Sequence, residues 1–395
     1  SAALRTIVDG GLLLPTQALD GDDAYTFRHA LLREVIYDEM LPTDRRRLHL
    51  SWGEYLTQHT ADGEQGPAVL LQVAHHWREA RDPRALAASI AAGDAAMDTY
   101  SYAIAAREFG EALLLWDEGP YEAGIDHADL LERAARASYL ASDFRRSVAW
   151  CREAMDEIPA DDRARLTTVL ILLGRAQWVS GDWGASIATY ERALDTSPAE
   201  PPGVRIRALA GLAQAYMLHG RYREARPMLE AAIDSAIGIG ARDLEGHARN
   251  TLGVVLSEAG EAQAALDSID EALRIALELR IPDDIGRAYV NKPEVEARLG
   301  YPERGFETAL EGMDVVAAWG VAASYGAYIG YGGVSFAFEC GRWHEAIEVL
   351  ARADRIAGSN EESYVYRASY IAELLACRGD PGFEPLWERT SRPVS

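Results

Sequence analysis

The chain has 395 residues, 48% hydrophobic and 26% charged, and a formal net charge of -23. So acidic a chain argues against direct nucleic-acid binding, because neutralising phosphates takes a basic face. A single compact core is excluded at this length, whereas a linearly growing array is not. No apolar run reaches the roughly 18 to 20 residues of a membrane span and no signal-peptide pattern opens the chain, so the expectation is a soluble, cytoplasmic protein.

In chain order, Leu4 to Val8 is the end of a short helix, Gly11 to Leu14 an apolar strand, Pro15 to Asp23 a turn and Tyr25 to Arg28 a second strand. A helix then begins at His29 and carries Leu31, Leu32, Val35, Ile36 and Met40 at helical spacing. Pro42-Thr43-Asp44 stops it and caps a further helix through Leu48, Trp52, Tyr55 and Leu56. Helix, hairpin, helix is the outline of a winged-helix segment, assigned to residues 1–60. The polar, turn-rich run Gln58 to Pro67 reads as a linker, and residues 61–395 as a second domain.

That second domain repeats itself about every 40 residues. One unit reads Leu173-Gly174, Ser186, Tyr190, Ala193, Pro198; another reads Leu252-Gly253, Leu256, Gly260, Ala265, Ile269, Ala272. The same offsets recover Gly93, Ala105, Phe109 and Ala112, then Ala135, Cys151 and Ala154, then Ala213, Ala225, Leu229 and Ala232, with weaker copies around Gly300 and Gly341. A small residue on the first helix of each unit, met by Ala on the second, lets two backbones approach closely. This is the tetratricopeptide pattern, and it implies an all-α superhelical solenoid of about eight helix pairs with a concave groove.

Tetratricopeptide proteins line that groove with fixed positions of the first helices. Here those are Arg175 and Trp178, Gln214 and Met217, His247 and Asn250, Arg287 and Glu294, then Tyr328, Tyr331 and Phe338. Aromatic walls with a few directional polar groups suit a small-molecule inducer or a peptide or protein segment. Two anomalies stand in the last third. Pro293, in Asn291-Lys292-Pro293-Glu294, removes a helical hydrogen bond and should kink its helix. Gly326, Gly330 and Gly333 form a small-residue stripe beside Tyr325, Tyr328 and Tyr331, read either as a tight helix pair or as an aromatic-lined pocket.

Chemistry-bearing motifs do not occur: there is no Gly-x-x-x-x-Gly-Lys-Ser/Thr, no His-Glu-x-x-His and no Gly-x-Ser-x-Gly, so no catalytic residue is assigned. His75-His76 is the only adjacent histidine pair. Neighbours on a helix point about 100° apart, so the pair is not expected to share a metal, and no metal site is assigned. Cys151, Cys340 and Cys377 lack ligand spacing and read as small buried hydrophobes.

One resemblance is more specific than the repeats. Tyr25-Thr26-Phe27-Arg28-His29-Ala30-Leu31-Leu32-Arg33-Glu34-Val35-Ile36-Tyr37, then Leu41-Pro42-Thr43-Asp44-Arg45-Arg46-Arg47-Leu48-His49, resembles the end of the ATPase module in LuxR-type ATP-dependent bacterial regulators. Ala74-His75-His76-Trp77-Arg78-Glu79-Ala80 is similar to their join between winged helix and repeats. The resemblance implies an excised piece of a transcriptional regulator, holding a ligand- or partner-sensing array without its nucleotide-binding or DNA-reading ends. ATP or ADP would belong to the parent, no cofactor to this chain, and the parent's ATPase domain would be a partner. It also gives His29, in Arg28-His29-Ala30-Leu31-Leu32-Arg33, a nucleotide-sensing role in the parent, the alternative being a helix cap. A free-standing scaffold for a peptide or protein tail, a sensor attached to a cyclase or kinase, and a homo-oligomer stay open.

Overall fold

The computed structural model describes residues 2–17, 23–60, 67–118, 124–200 and 202–357, with positions 369, 375, 376, 379 and 384 beyond them. Contacts divide the chain into two compact units, one of residues 1–99 with 107–126 and one of residues 100–106 with 127–395. Among the described residues no helix is long and apolar enough to cross a membrane.

The first unit begins with α1 (Ala2–Asp9) and an antiparallel hairpin of β1 (Leu13–Gln17) and β2 (Asp23–Phe27), in register Leu13 to Phe27 and Pro15 to Tyr25. The turn expected from Pro15 is therefore shorter: Pro15 lies in β1, where a two-stranded sheet leaves an outer edge that needs no N–H. Residues 18–22 lie outside the described residues. Next come α2 (Ala30–Glu39) and α3 (Pro42–Thr60), the latter starting on a proline whose missing N–H costs nothing at a first helical position. Gln58 to Thr60, expected in a linker, complete α3; residues 61–66 are outside the described set. The unit continues with α4 (Pro67–Ala80), α5 (Ala85–Asp98) and most of α6 (Tyr102–Glu118).

The second unit is built on a metronomic repeat. It holds α7 (His127–Leu140), α8 (Phe144–Glu157), α9 (Arg163–Val179), α10 (Trp183–Thr196), α11 (Pro202–Leu218) and α12 (Tyr222–Gly238). Then follow α13 (Arg242–Glu258), α14 (Ala262–Glu278), α15 (Pro282–Arg298), α16 (Pro302–Ala318), α17 (Ala322–Glu339) and α18 (Trp343–Ala357). Each helix of the later pairs ends on a left-handed residue, at Gly220, Gly240, Gly260, Gly300 and Gly320, where glycine adopts positive φ without strain. Arg280 holds the same place with φ 56°, and the chain still turns.

The small-on-large contact that the repeat spacing implies is what joins the helices of a pair. A Cβ on Gly174 would stand 2.9 Å from the Tyr190 ring, and one on Gly93 would stand 2.5 Å from Phe109. The partner alanines Ala105, Ala112, Ala154, Ala193, Ala225, Ala232 and Ala265 are completely buried. Gly53 of α3 meets Trp77 of α4 in the same manner, at 2.8 Å. Among the described residues the fold is thus all-α, built of tetratricopeptide-type helix pairs, with a short hairpin in the first unit.

Both anomalies resolve as packing. α15 runs unbroken through Pro293, which is buried, and Gly305 of α16 comes so close that an added Cβ would lie 2.8 Å from the Pro293 carbonyl. Lys292 pairs with Asp270 at 2.7 Å, so the charge in mid-helix has a partner across the helix pair. Gly330 and Gly333 lie against Met313 and Ala309 of α16 and Ala353 and Val349 of α18, while Gly326 meets Ile356. The stripe lets three helices close on one another, and the two tyrosines beside it separate: Tyr331 is 3% exposed, Tyr328 44%.

Candidate functional site

In the second unit the superhelix winds far enough for residues more than a hundred apart to touch across its concave side. Arg175 of α9 donates from Nη1 to Asp283 Oδ2 of α15 at 2.5 Å. Asp283 and Asp284 follow Pro282 in the first turn of α15, where free backbone N–H groups favour carboxylates. Tyr325 of α17 donates its hydroxyl to the other oxygen of Asp283, and its ring lies on Gly286. The Arg175 guanidinium stands 5.0 Å from the Tyr139 ring centre on α7. Three first helices therefore meet at one carboxylate, with Tyr139 of α7 packed on its arginine partner.

A second network is interleaved with it. His247 of α13 lies 2.8 Å through Nδ1 from Asp284 Oδ1. Arg287 reaches the His247 ring at 2.7 Å, Thr251 Oγ1 at 3.1 Å and Asp284 Oδ1 at 3.2 Å. Burial and then the Arg287 cation push His247 down to about 4, so the ring is neutral at pH 7. Burial alone would raise Asp284, but His247, Arg287 and Arg175 outweigh it and hold it well below the usual carboxylate range.

These groups border a cavity of about 110 Å³, lined also by Tyr139, Ile171, Tyr190, Ile281, Arg136 and Arg207. Arg207 pairs with Asp243 at 2.8 Å, and Arg136 has no acidic partner among the described residues. In a chain of net charge -23, a cavity with three lining arginines against two aspartates is locally poised for an anion. Buried amides nearby keep spare capacity: Gln214 Oε1 and Asn250 Nδ2 have no hydrogen-bond partner, although Asn291 donates to Asn250 Oδ1 at 2.5 Å.

Of the residues expected in the groove, the structure thus brings together Arg175, His247 and Arg287, with Asn250 and Gln214 on neighbouring helices. The others disperse. Met217 is buried in the apolar core of α11 to α13, since its helix turns it onto the next pair. Trp178 packs on Trp183 and His219, and Phe338 on Trp343. Tyr331 turns to Asp354 inside the last pair, while Glu294 is exposed. Sequence reasoning missed Tyr139, Arg207, Asp283 and Asp284, and placed Tyr325 only beside the glycine stripe; the acidic doublet directly after Pro282 is a helix-start signal that could have drawn attention to Asp283 and Asp284.

In the first unit His29 is exposed at the start of α2 and makes no capping bond through its side chain. The expectation that His75 and His76 diverge needs correction. Their ring centres are 5.3 Å apart, and His49 of α3 stands 5.5 Å and 5.0 Å from them. The 100° rule places Cβ atoms, whereas the rings reach beyond it towards α3.

The repeat is confirmed by comparison: the tetratricopeptide repeat model matches residues 205–278. Fold and cavity together define a tetratricopeptide superhelix with a charged internal site. Among solved structures, a Rap protein complexed with competence and sporulation factor is 14% identical, with a TM-score of 0.54 over 78% of this chain and 87% of that one. Aspartyl phosphate phosphatase F from Bacillus subtilis is 14% identical, with a TM-score of 0.53 over 75% and 76%. A signal transduction ATPase with a tetratricopeptide repeat sensor from Pyrococcus horikoshii spans 98% of this chain and 57% of that one, at 13% identity and a TM-score of 0.44. The first two likenesses describe the fold. No curated protein matches in sequence.

Proposed function

We propose that the second unit is a sensor whose concave site takes a small anionic ligand, or the acidic part of a peptide, in competition with Asp283. The observation that carries this is the Arg175 to Asp283 pair, which spans the groove between α9 and α15 with each side chain 18% exposed. A cavity of about 110 Å³ is smaller than the roughly 300 Å³ of an ordinary ligand pocket, so admission requires the pair to part. An arrangement that is either latched or open, with the ligand favouring one form, is what a sensor needs. The Rap protein complexed with competence and sporulation factor shows the same fold holding a partner.

The N-terminal segment supports the larger reading of a sensor within an ATP-dependent transcriptional regulator of the LuxR type. Several of its apolar side chains are not buried: Leu31 is 75% exposed, Val35 55%, Leu41 66% and Trp52 52%, and α2 has no buried residue. A face of this kind calls for a further domain, and the ATPase module implied by the Tyr25 to His49 run is the one we assign, with His29 turned to its nucleotide.

The test is thermal denaturation of the chain against a panel of dicarboxylates, phosphate esters and acidic peptides. A true ligand at about 100 times its Kd adds about 2.7 kcal/mol to the second unit. The gain should shrink in Arg136→Gln, an exposed position where the fold is spared. Stabilisation by neutral or cationic compounds alone, or a gain indifferent to Arg136, would sink the reading.

A further inference from the structure

The first unit holds a cluster that the sensor does not use. His49 on α3 and His75 and His76 on α4 offer one ring nitrogen each, all within 4.8 Å of one another. His49 is 7% exposed, His76 half-buried and His75 exposed, so the cluster has a protein-facing floor and a mouth open to solvent. Trp52 stacks on the His76 ring at 6.2 Å and an interplanar angle of 17°, fixing its plane.

The hydrogen bonds around it have the form of a ligand support. Tyr37 of α2 lies 2.8 Å from His49 Nε2, and its hydroxyl donates to Glu79 Oε2 at 3.5 Å. With the phenol's proton directed to the carboxylate, His49 Nε2–H donates to the phenol oxygen, which leaves the His49 Nδ1 lone pair bare. That Nδ1 accepts from His76 Nδ1–H at 2.8 Å, a proton that a bound metal ion would displace. A ring N–H tied back through a phenol to a carboxylate is how proteins hold a metal-binding imidazole in one tautomer. Tetrahedral zinc with bonds of about 2.0 to 2.1 Å sets its nitrogens about 3.3 Å apart, so opening the two rings by about half an ångström admits the ion.

We propose that His49, His75 and His76 form a zinc site on the α3 and α4 pair, with the fourth position open to water. Imidazole nitrogens suit zinc and its late transition-metal neighbours and do not suit magnesium or calcium. Glu79 supplies the nearby negative charge, against the cations Arg33 and Arg45 by Tyr37. Occupancy would fasten α3 to α4, a pair that also packs Gly53 on Trp77 and Leu56 beside Val73.

The experiment is a titration of chelator-stripped full-length chain with Zn²⁺ against a chromogenic competitor, repeated with Co²⁺ for the visible bands of a four-coordinate complex. One ion per chain is expected, with affinity reduced about 100-fold or more in His75→Ala and His76→Ala and unchanged in His344→Ala, which is remote. His75 is exposed, so His75→Ala without metal should melt at the wild-type temperature, which separates ligand loss from misfolding. Tyr37→Phe, which removes the support and no ligand, should weaken binding about tenfold. Failure of the wild type to bind, equal affinity in His75→Ala, or loss in His344→Ala alone would overturn the proposal.

Discussion

Replacing Arg175 with Met is expected to destabilise the second unit by about 3 kcal/mol, the lower end of what stranding one member of a buried pair costs. Asp283 would be left on a floor of tyrosines, with Tyr325 as its remaining donor. The penalty is not the worth of the pair itself, because ion and partner both lose hydration in forming it. Restoring neutrality should therefore recover most of the loss: Arg175→Met with Asp283→Asn is expected within about 1 kcal/mol of the wild type. Urea denaturation read by hydrogen exchange in α9 and α15 measures both variants. A loss below about 1 kcal/mol for Arg175→Met would mean that water already fills the site and that the pair latches nothing.

Acid should weaken the same unit. His247 is held neutral by burial and Arg287, down to about 4 against an ordinary 6.5. Below 6.5 the unfolded chain takes up a proton that the folded chain refuses. The stabilisation is present above 6.5 and drains away as pH falls towards 4. The gap between those values corresponds to about 3 kcal/mol. Asp284, held low by His247 and the two arginines, loses its own contribution further down the scale, with the same sign. His49 and His76 are also depressed, so the measurement is a difference: stability against pH for wild type and His247→Asn. The curves should converge by about 3 kcal/mol between pH 6.5 and 4; parallel curves would show that His247 is free to protonate in the fold.

The repeat was legible in the sequence because its cause is local. Gly174 twelve residues before Ser186 and sixteen before Tyr190 specifies a helix, a turn and a return, and the contact forms as read. The groove was legible only in part, because periodicity gives the face of a helix and not the curvature of the stack. Arg175 could be placed on a first helix, but that it reaches Asp283 on α15 depends on small rotations summed over three repeats. Met217 and Tyr331 show the converse: a position that faces the groove in a generic repeat turns inward where its neighbour is tighter. Pro293 was visible as a breach of the pattern, and its use, against Gly305, lay on another helix. His49 lies on a different helix from His75 and His76, so only the folded α3 and α4 reveal three rings in one place.

The most direct test of the sensor reading is a calorimetric titration of inorganic phosphate, the smallest probe of an anion site, into wild type and Asp283→Asn. If an anion must displace Asp283 from Arg175, removing that carboxylate's charge should tighten binding about tenfold, a coupling of about 1.4 kcal/mol. Equal or weaker binding in Asp283→Asn would contradict a site in which the pair latches the groove.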